Sequence, residues 1–503
     1  MSGFNMWMGG VRGSWRKGLT VRSRSALRHA SGVVLPVSEV DFSRPHIIGA
    51  DELESMLLWS DAEWNRHVPS SPPPISAVYD AMVDRLGPNR PSPGSDEMKS
   101  EFMICHSHQH FLNHGAFGGC LVDAFDVAQI WRFMCESQPV AFIDRLLFTE
   151  LARTTRYLSK FISCHPQNLA LLPNATAGFN TVIQSLCRRH IVRRALVLSV
   201  GYRSVRKLLG RMGVDVVEVE IEYPVTHPQC LVEYVRQNVE GVDLVVVDHV
   251  TSNTGIPVPI EDMAELCNLH HIPLLIDGAH GLLAQKLALN DMKHQPSYYV
   301  GNCHKWFCSP KGAGFLWVRD DRLAGLEPLV VSHGAAAEVR DDGFASTHTW
   351  DGCRDYSSIL AIGACTRFWN MLGQSECRMY MHKMAWEAAQ YLASEWNTNV
   401  FLTGKEGTEE GDWARKTPMH NVRLPGQILS SREYEQWADG RRGTPGQVLQ
   451  DLLFHRYGVE VPVKTLGGSP HVRISAHVYS RMEDYHPLVE AVKKIVDAEG
   501  GNG

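Results

Sequence analysis

Short, almost continuously apolar segments recur along the middle of the chain, and amphipathic segments separate them. Four such runs, rich in Val, Ile and Leu, occupy residues 195–200, 244–249, 272–277 and 314–318. A strand that is buried on both faces is apolar along its whole length, as these runs are. Helical patterns lie between the runs, at residues 203–212, 230–238 and 260–270. The alternation of strand and helix predicts an α/β fold built on a parallel sheet.

The chain has 503 residues, which is more than one compact domain usually contains. Beyond about residue 325 the pattern changes, because a long amphipathic stretch at 356–396 is followed by shorter strand-like and helix-like segments. This mixture predicts a smaller α+β domain in the C-terminal part. We therefore divide the chain into a basic N-terminal segment, an N-terminal extension, a large α/β domain and a small α+β domain, at residues 1–38, 39–110, 111–325 and 326–503.

The first 38 residues differ in composition from the rest of the chain. They contain six basic residues and no carboxylate, and serines are interleaved with the arginines. This composition is typical of an organellar transit peptide, so import into mitochondria is one expectation. A disordered basic tail on a cytoplasmic protein is the alternative. The segment has no continuous apolar region, so a secretory signal is not expected.

Composition argues against several classes of function. The net charge is −6 and no basic face dominates the sequence, so we expect no nucleic-acid partner. No apolar run approaches the roughly 18 residues that span a bilayer, so we expect no membrane partner. The twelve cysteines are scattered without paired CxxC motifs, which predicts neither a metal site nor a disulfide framework. These patterns are typical of a soluble protein in a reducing compartment.

One lysine stands in an unusual setting. Lys305 follows the apolar segment 296–300 and directly precedes Trp306. Most lysines lie on surface turns. Lys305 differs because acids end two of the apolar runs that precede it in the chain, and glycines follow it. The acids are Asp248 and Asp277, and ligands of open α/β sheets bind at such strand ends. Desolvation in this setting lowers the pKa of a lysine and makes it a nucleophile.

The partners that a pyridoxal phosphate cofactor needs are all present in the sequence. Lys305 offers an amine for a Schiff base, and Asp277 offers a carboxylate that keeps the pyridine nitrogen protonated. The small-residue turn 173–178 precedes a helical run at 179–188, and the start of a helix binds phosphate through its backbone amides. Tyr202, just after a predicted strand, offers a flat ring to stack on the cofactor. The ordered set predicts pyridoxal 5'-phosphate as the cofactor.

Seven motifs support this interpretation in their order along the chain. They are LNHGAFGG (112–119), NATAGFNTV (174–182), DHVTSNTGIPVPI (248–260), DGAHG (277–281), NCHKW (302–306), WDGCRDYSSIL (350–360) and VRISAHVYS (472–480). The set resembles the class V aminotransferase family, and within it most closely the isopenicillin N epimerase-like branch, over roughly residues 108–480. The resemblance implies the fold of a fold-type I pyridoxal-phosphate-dependent transferase, in which a large domain containing a parallel sheet is joined to a smaller C-terminal α+β domain.

The resemblance also implies roles for individual residues. Lys305 forms the Schiff base and later moves the α-proton of the substrate, and Asp277 pairs with the pyridine nitrogen. Arg473 receives the α-carboxylate of an amino-acid substrate, and Asn113 belongs to the same substrate site. The other implied cofactor-binding residues are Ala175, Thr176, Tyr202, Asn253 (or Thr251), His280, Asn302, His304 and Gly352.

One motif carries an implication about assembly. In the resemblance, Gly352 and its neighbours reach the cofactor phosphate of a partner subunit, so a homodimer is implied. Cys353 stands where the family usually has a threonine, and a hydroxyl donor to the phosphate is thereby lost.

The resemblance leaves the reaction open, because the same cofactor supports transamination, epimerisation and elimination. Desulfurases of the family carry a nucleophilic cysteine shortly before the carboxylate-binding arginine, and residues 460–473 contain none. Two enzyme readings remain: an epimerase or aminotransferase acting on an amino acid or a peptide-like substrate, and a carbon–sulfur lyase acting on a cysteine conjugate, similar to the hercynylcysteine sulfoxide lyases. A non-catalytic protein of the same fold would be expected to lack Lys305 or Asp277, and both are present.

Overall fold

The computed structural model describes residues 49–88, 90–104, 110–223, 225–335, 343–402 and 409–497. The basic segment 1–38, for which a transit peptide is expected, lies outside the described residues, and so does residue range 39–48 of the extension. No helix in the described ranges is both long enough and apolar enough to cross a lipid bilayer.

Twelve strands form within these ranges. They are β1 (His110–Phe111), β2 (Leu169–Leu172), β3 (Arg194–Leu198), β4 (Asp215–Val219), β5 (Leu244–Asp248), β6 (Leu274–Gly278), β7 (Tyr298–Asn302), β8 (Gly314–Val318), β9 (Met419–Arg423), β10 (Val459–Glu460), β11 (Val463–Leu466) and β12 (Ser469–Ser475). The two-residue strands β1 and β10 pair with each other in parallel.

Helices account for most of the remaining regular structure. The longer α-helices are Ala50–Leu58, Pro73–Leu86, Val122–Ser137, Phe148–Phe161, Ala175–Arg188, Arg203–Arg211, Gln229–Arg236, Ile260–Leu269, Ile362–Leu372, Gln374–Trp396, Pro445–Tyr457 and His486–Asp497. The shorter ones are Asp61–His67, Asp96–Ser100, His114–Phe117, Pro139–Phe142, Asp320–Leu323, Phe344–Thr349, Ser357–Leu360, Glu409–Ala414 and Arg432–Ala438.

A seven-stranded sheet forms the centre of the molecule, in the order β2-β8-β7-β6-β5-β3-β4. Strands β3 to β7 run parallel, while β8 is antiparallel to both of its neighbours. The apolar runs predicted as strands coincide with β3, β5, β6 and β8, and the α/β fold is confirmed. The expectation of a parallel arrangement is wrong for β8. Residues 303–313, which join β7 to β8, contain no crossover helix, and a parallel neighbour requires such a crossover.

Both faces of the sheet are buried at its inner strands, which explains why β5 to β8 are apolar along most of their length. In β5, Leu244 and Val246 pack on one face in a cluster with Phe179 of the helix Ala175–Arg188. The alternate residues Val245 and Val247 pack on the other face. In the inner strands β5, β6 and β7, the polar residues Asp248, Asp277 and Asn302 come at or next to the carboxyl ends.

The amphipathic stretch 356–396 is broken into three helices, and Gly373, with φ +87°, separates the last two. The helix Ile362–Leu372 packs in the core shared with the central sheet, whereas the second half of Gln374–Trp396 packs in a separate apolar cluster with the C-terminal elements. The four sequence segments proposed above remain predictions as domain limits.

The C-terminal elements are built around an antiparallel three-stranded sheet in the order β11-β12-β9. One face of this sheet is apolar: Val472 and Ile474 of β12 are buried against the helices Pro445–Tyr457 and His486–Asp497. Because side chains alternate along a strand, Arg473 projects from the opposite face. The α+β character predicted for this part of the chain is confirmed.

Candidate active site

Polar side chains gather where three neighbouring strands of the central sheet end. Asp248 ends β5 and is paired in register with Asp277 of β6, and Asn302 ends the adjacent β7. Lys305 follows β7 by three residues. The carboxyl ends of parallel strands lie at one edge of a sheet, so these groups form one site, at the edge where ligands of α/β proteins bind.

Lys305 is held by a short chain of hydrogen bonds. Its Nζ lies 3.0 Å from Nε2 of His280, and the indole Nε1 of Trp306 donates to Nδ1 of the same ring at 3.2 Å. An indole N–H can only donate, so Nδ1 accepts and the neutral ring carries its proton on Nε2. That proton points at Lys305, which accepts it best as a neutral amine. Burial lowers the pKa of His280 well below its usual range, and this keeps the ring neutral.

The surroundings of Lys305 also make its amine less readily protonated. Burial lowers the pKa of Lys305 to about 8, against an opposing effect of Asp277 and a reinforcing effect of Arg473. With this pKa about one-tenth of the amine is unprotonated at pH 7, a few hundred times the fraction of an ordinary lysine, and the unprotonated amine is the state that forms an imine or accepts a proton.

Two buried carboxyl groups stand side by side at this edge, and their surroundings differ. Burial raises the pKa of Asp277, while the backbone N–H of Ala279 (3.0 Å) and the charge of Lys305 lower it. Burial raises the pKa of Asp248 well above its usual range, and the neighbouring Asp277 raises it further. Asp248 therefore keeps its proton more readily, and Asp277 is the better carboxylate. Asp248 also accepts from the backbone N–H of Tyr202 at 3.2 Å, so it fixes the turn after β3.

The predicted phosphate turn lies at the start of a 14-residue helix, Ala175–Arg188. Asn174 caps the helix by accepting from the N–H of Ala177 at 2.9 Å, and Oδ1 of Asn302 accepts from the N–H of Ala175 at 2.9 Å. Thr176 is exposed at the first turn, so its hydroxyl is available to a ligand. The positive end of the helix dipole and the hydroxyl of Thr176 can together bind an anion.

His304 lies on the loop that carries Lys305. Its Nδ1 is 3.0 Å from the backbone oxygen of Ala313, and it is half-buried, with its pKa lowered to about 4 by burial. A neutral ring whose Nδ1–H is given to a carbonyl leaves Nε2 as an acceptor. The contribution of His304 to phosphate binding remains a prediction.

Arg473 is a buried cation without a matching acid. One guanidinium nitrogen donates to the backbone oxygen of Ser252, another donates to Oδ1 of Asn113 at 3.1 Å, and Nε has no partner. Within the described ranges no carboxylate lies within ion-pairing distance of it, and burial lowers its pKa to about 10. Asn113 is itself anchored by Glu460 at 3.0 Å. Buried arginines are normally paired with an acid, so the arrangement suits a carboxylate supplied by a ligand.

Three other predicted cofactor-binding residues are exposed or have open surroundings. The side chain of Tyr202 is 43% exposed at the end of β3, and its backbone is fixed by Asp248. Asn253 is exposed, and its backbone oxygen accepts from Asn421 at 3.1 Å. Gly352, with φ +116°, has nothing within 4 Å of where a Cβ would stand, and no hydrogen bond in the described part of the chain joins it to the Lys305 site. Their roles remain predictions.

The sequence interpretation gave no role to two histidines beneath the lysine. Nε2 of His114 lies 3.2 Å from the backbone oxygen of Lys305, and Nε2 of His477 lies 3.0 Å from that of Trp306. The two rings stack at 4.1 Å. Both residues belong to motifs of the sequence, LNHGAFGG and VRISAHVYS. In those motifs the family resemblance implies roles only for Asn113 and Arg473.

Cys308 lies close to both rings, and its Sγ and the Nε2 atoms of His114 and His477 all lie within 4.8 Å of one another. Such a set can in principle hold a metal ion. Here each Nε2 lies at hydrogen-bonding distance from a backbone carbonyl of the lysine loop, so the histidines brace that loop instead. Gly118, with φ +72°, completes the support, because a Cβ there would stand 2.7 Å from the Cα of Lys305.

The donor set fits pyridoxal 5'-phosphate. The site has a buried amine with a lowered pKa, a buried carboxylate beside it, and a helix start that can bind a phosphate. Asp277 has no ion pair among the described residues, so a protonated pyridine nitrogen would supply the missing partner. The fold and the site define a pyridoxal-phosphate-dependent enzyme of fold type I.

The Aminotransferase class-V family matches residues 147–484. This range covers more than half of the chain and includes the strand ends, the lysine loop and Arg473. The chain belongs to the aminotransferase class V family, and the resemblance seen in its motifs is confirmed.

Relatives with assigned names match over most of the chain. The probable L-cysteine desulfhydrase, chloroplastic, of Arabidopsis thaliana is 25% identical over 433 residues, which cover 80% of this chain and 86% of the relative. The isopenicillin N epimerase of Streptomyces clavuligerus is 26% identical over 398 residues, covering 76% of this chain and 93% of the relative. Among solved structures, a cystine C–S lyase in complex with its product cysteine persulfide matches with a TM-score of 0.63 and 16% identity, covering 77% of this chain and 97% of that one. This last likeness confirms the fold.

Proposed function

We propose that the enzyme is a carbon–sulfur lyase that acts on L-cysteine or an S-substituted cysteine. The observation that carries the proposal is a single buried amine, Lys305, close enough to Arg473 for the guanidinium to lower its pKa. Elimination needs one base on one face of the substrate. Epimerisation also needs a proton returned to the opposite face. His280, the ionisable side chain at hydrogen-bonding distance from Nζ of Lys305, has its pKa lowered well below the usual range by burial, so it is a poor second base. The desulfhydrase names of several relatives support the proposal.

Each residue of the site has a separate role in the proposed reaction. Arg473 binds the α-carboxylate through its free guanidinium edge, and Lys305, steered by the Nε2 of His280, takes the α-proton at Nζ. When bound, the cofactor supplies an electron sink for the pair left at the α-carbon. Asp277 maintains that sink by holding a proton on the pyridine nitrogen. The rigid placement of Arg473 on β12 orients the breaking bond.

The proposed reaction is balanced without an oxidant or reductant. The Cα–H bond and the Cβ–S bond break, and the sulfur takes up a proton and leaves as hydrogen sulfide from L-cysteine or as a thiol from an S-substituted cysteine. The remaining three-carbon fragment takes up one water and is released as pyruvate and ammonia.

The sulfur is expected to leave as hydrogen sulfide or a free thiol rather than to pass to a cysteine of the enzyme. Cys303 and Cys308 both lie on the lysine loop, but both are buried, and burial raises the pKa of each thiol well above the usual range, so neither is a thiolate. The segment 460–473, where a desulfurase would carry its nucleophile, contains no cysteine.

Product analysis tests the proposal. The purified holoenzyme is incubated with a panel of L-amino acids and cysteine S-conjugates in deuterated buffer. We expect pyruvate together with hydrogen sulfide from L-cysteine or with a thiol from a conjugate, and deuterium at the α-carbon of recovered substrate. A keto acid with aminated cofactor would instead establish transamination. Absence of α-exchange with every amino acid would remove the mechanism altogether.

An epimerase is the second candidate, and the match to the isopenicillin N epimerase favours it. Chiral analysis of the same incubations separates the two functions, because an epimerase returns inverted substrate and no pyruvate.

We expect Arg473→Lys to raise KM by at least roughly tenfold while the absorbance of the bound cofactor is unchanged. A lysine cannot make the bidentate contact that a guanidinium makes with a carboxylate. Steady-state kinetics with the best substrate of the panel measures the effect. Arg441→Lys, at an exposed arginine paired with Asp451, is the matched control. An unchanged KM in the Arg473 variant would exclude Arg473 from carboxylate binding.

We propose that the protein is a homodimer in which the segment around Gly352 completes the partner's site. Phe117, whose side chain is 73% exposed, follows the motif residue Asn113 and precedes Gly118, which packs on the lysine loop. We assign this exposed ring to the dimer contact surface because it lies on the motif segment that packs on the lysine loop. The open surroundings of Gly352 on its own chain support the same arrangement.

Light scattering on the holoenzyme is expected to give the mass of a dimer, and Phe117→Asp is expected to shift it toward the monomer and weaken cofactor binding. Leu269→Asp is the control, because Leu269 is 70% exposed at the end of the helix Ile260–Leu269. A wild-type monomer that binds the cofactor fully would overturn the proposal.

We propose that residues 1–38 direct import into mitochondria. The alternative is that the protein is cytoplasmic and that these residues form a basic tail. The basis is the acid-free, Arg- and Ser-rich composition of the segment. Fluorescent fusions with and without these residues test it, and a full-length fusion that stays in the cytoplasm would refute import.

A further inference from the structure

The face of the C-terminal sheet that carries Arg473 also carries other basic residues. His471 lies two residues before Arg473 in β12 and therefore on the same face. Lys464 of β11 is directly opposite His471, and Arg423 of β9 is opposite it on the other side. Directly opposed residues of antiparallel strands share a face. Arg473, Lys464 and Arg423 thus form a cationic strip that leads outward from the substrate-carboxylate site. His471 lies among them as a neutral ring, because burial and the nearby Arg423 lower its pKa.

Within the described ranges, no acid neutralises this strip. In these ranges, no carboxylate lies within 4 Å of the charged nitrogens of Lys464, Arg423 or Arg473. The charge that acts on Lys464 is that of Arg473, which lowers the pKa of Lys464 in addition to burial. A half-buried lysine beside another cation is an unfavourable arrangement unless an anion joins them.

We propose that this strip is a second anion site and that the natural substrate carries an acidic group on its side chain in addition to the α-carboxylate. The inference rests on the proposed function and names its substrate class: a cysteine S-conjugate with a terminal carboxylate or another anionic group. Arg473 takes the α-carboxylate, and Lys464 takes the distal anion.

The distance between Arg473 and Lys464 on the sheet determines the length of a substrate that can contact both residues. Arg473 is diagonal to Lys464 across β11 and β12, because its backbone N–H donates to Pro462, two residues before Lys464, at 2.9 Å. Diagonal neighbours lie about 7–8 Å apart, and their Cβ atoms are somewhat closer. A cysteine with a one-carbon or two-carbon acidic substituent on sulfur spans this distance between its two carboxylates.

An aromatic wall lies beside the strip and suits the thioether part of such a substrate. Phe401 packs edge-on against His471 with ring centroids 5.6 Å apart, and Tyr223 packs against Phe401 at 4.8 Å. Tyr223 is 39% exposed, so this wall borders solvent and the distal end of a substrate can reach it. Sulfur and methylene groups make favourable contacts with aromatic rings.

The test compares two substrates that differ in the distal anion, S-carboxymethyl-L-cysteine and S-methyl-L-cysteine, on the holoenzyme. We expect wild type to prefer the dianionic conjugate in kcat/KM. Lys464→Met is expected to reduce that preference by roughly tenfold, the usual effect of one charge-assisted hydrogen bond, and Lys464→Arg to retain most of it. Lys383→Met, at a lysine 74% exposed on the helix Gln374–Trp396, is the matched control and leaves the ratio unchanged. Equal ratios in wild type and Lys464→Met would overturn the proposal.

A binding measurement separates this inference from the proposed reaction. Titration calorimetry compares glutarate with butyrate on the holoenzyme, and neither ligand has an amino group to react. Tighter binding of glutarate that is lost in Lys464→Met supports the anion site even if neither conjugate is cleaved, in which case the lyase proposal alone fails. Equal binding of the two acids by wild type, or an unchanged preference in Lys464→Met, would show that the strip does not bind a second anion.

Discussion

Replacing Lys305 with alanine is expected to abolish turnover and the visible imine absorbance of the purified protein together. The amine of Lys305 is the buried nucleophile of the site, with its pKa lowered to about 8 and its Nζ oriented by His280. The proposed mechanism also requires the same atom to move the α-proton. Loss of both roles places activity below detection. Absorbance spectra and product formation under saturating substrate measure the two effects.

Lys311→Ala is the matched control for this prediction, because Lys311 lies exposed on the same loop, with its Nζ 3.2 Å from the oxygen of Gly118. It is expected to keep the absorbance. A Lys305→Ala protein that still forms a borohydride-reducible imine would assign the cofactor to another lysine. Circular dichroism establishes that both variants are folded.

The pH dependence of cofactor incorporation follows from the lowered pKa. The amine must be neutral to attack an aldehyde, so the rate for the apoprotein should rise about tenfold per pH unit below about 8 and level off above it. An ordinary lysine would keep rising to about 10.4. A profile without a plateau near 8 would contradict the burial argument.

Replacing Asp277 with alanine is expected to lower kcat by roughly a hundredfold or more. The carboxylate is buried beside Lys305, and the N–H of Ala279 holds it at 3.0 Å. Without it the pyridine nitrogen loses its proton, and a neutral pyridine is a poor electron sink. Loss of such an electrostatic partner raises the barrier by about 3 kcal/mol. Single-turnover rates of α-proton exchange measure the step directly.

The controls for Asp277 separate charge from packing. Asp277→Glu keeps a carboxylate and should recover part of the rate, while Asp215→Ala, at a side chain 71% exposed on β4, should leave it unchanged. Asp248 is the neighbouring acid, and it could carry the role only if Asp277→Ala retained wild-type kcat. That result would remove Asp277 from the cofactor.

The fold was predictable where burial imposes a pattern on the chain. Strands β5 and β6 are covered on both faces, so their apolar runs could be read directly from the sequence. β4 has a mixed pattern of half-buried and exposed residues at the edge of the sheet, so it carried no such signal. The direction of β8 depends on the route of residues 303–313, which apolar periodicity does not report.

The site was predictable where a residue's chemistry depends on its local neighbours. Lys305 and Asp277 stand beside apolar segments that already indicate burial. His114 and His477 could not be recognised in the same way, because their contact is with backbone oxygens of a loop about 170 to 190 residues away in the chain. Backbone contacts leave no complementary residue type in the sequence.

The braced lysine loop has a consequence for how the protein folds. His114, Lys305 and His477 come from three widely separated parts of the chain, and their contacts form only when all three have been synthesised and docked. Contacts of such high sequence separation form late, because loop closure is entropically costly. Cofactor affinity should therefore appear after the central sheet during refolding, and stopped-flow absorbance that trails the far-ultraviolet signal would reveal it. Newly made protein thus passes through a stage in which its scaffold exists but its reactive amine is not yet in position to bind the cofactor.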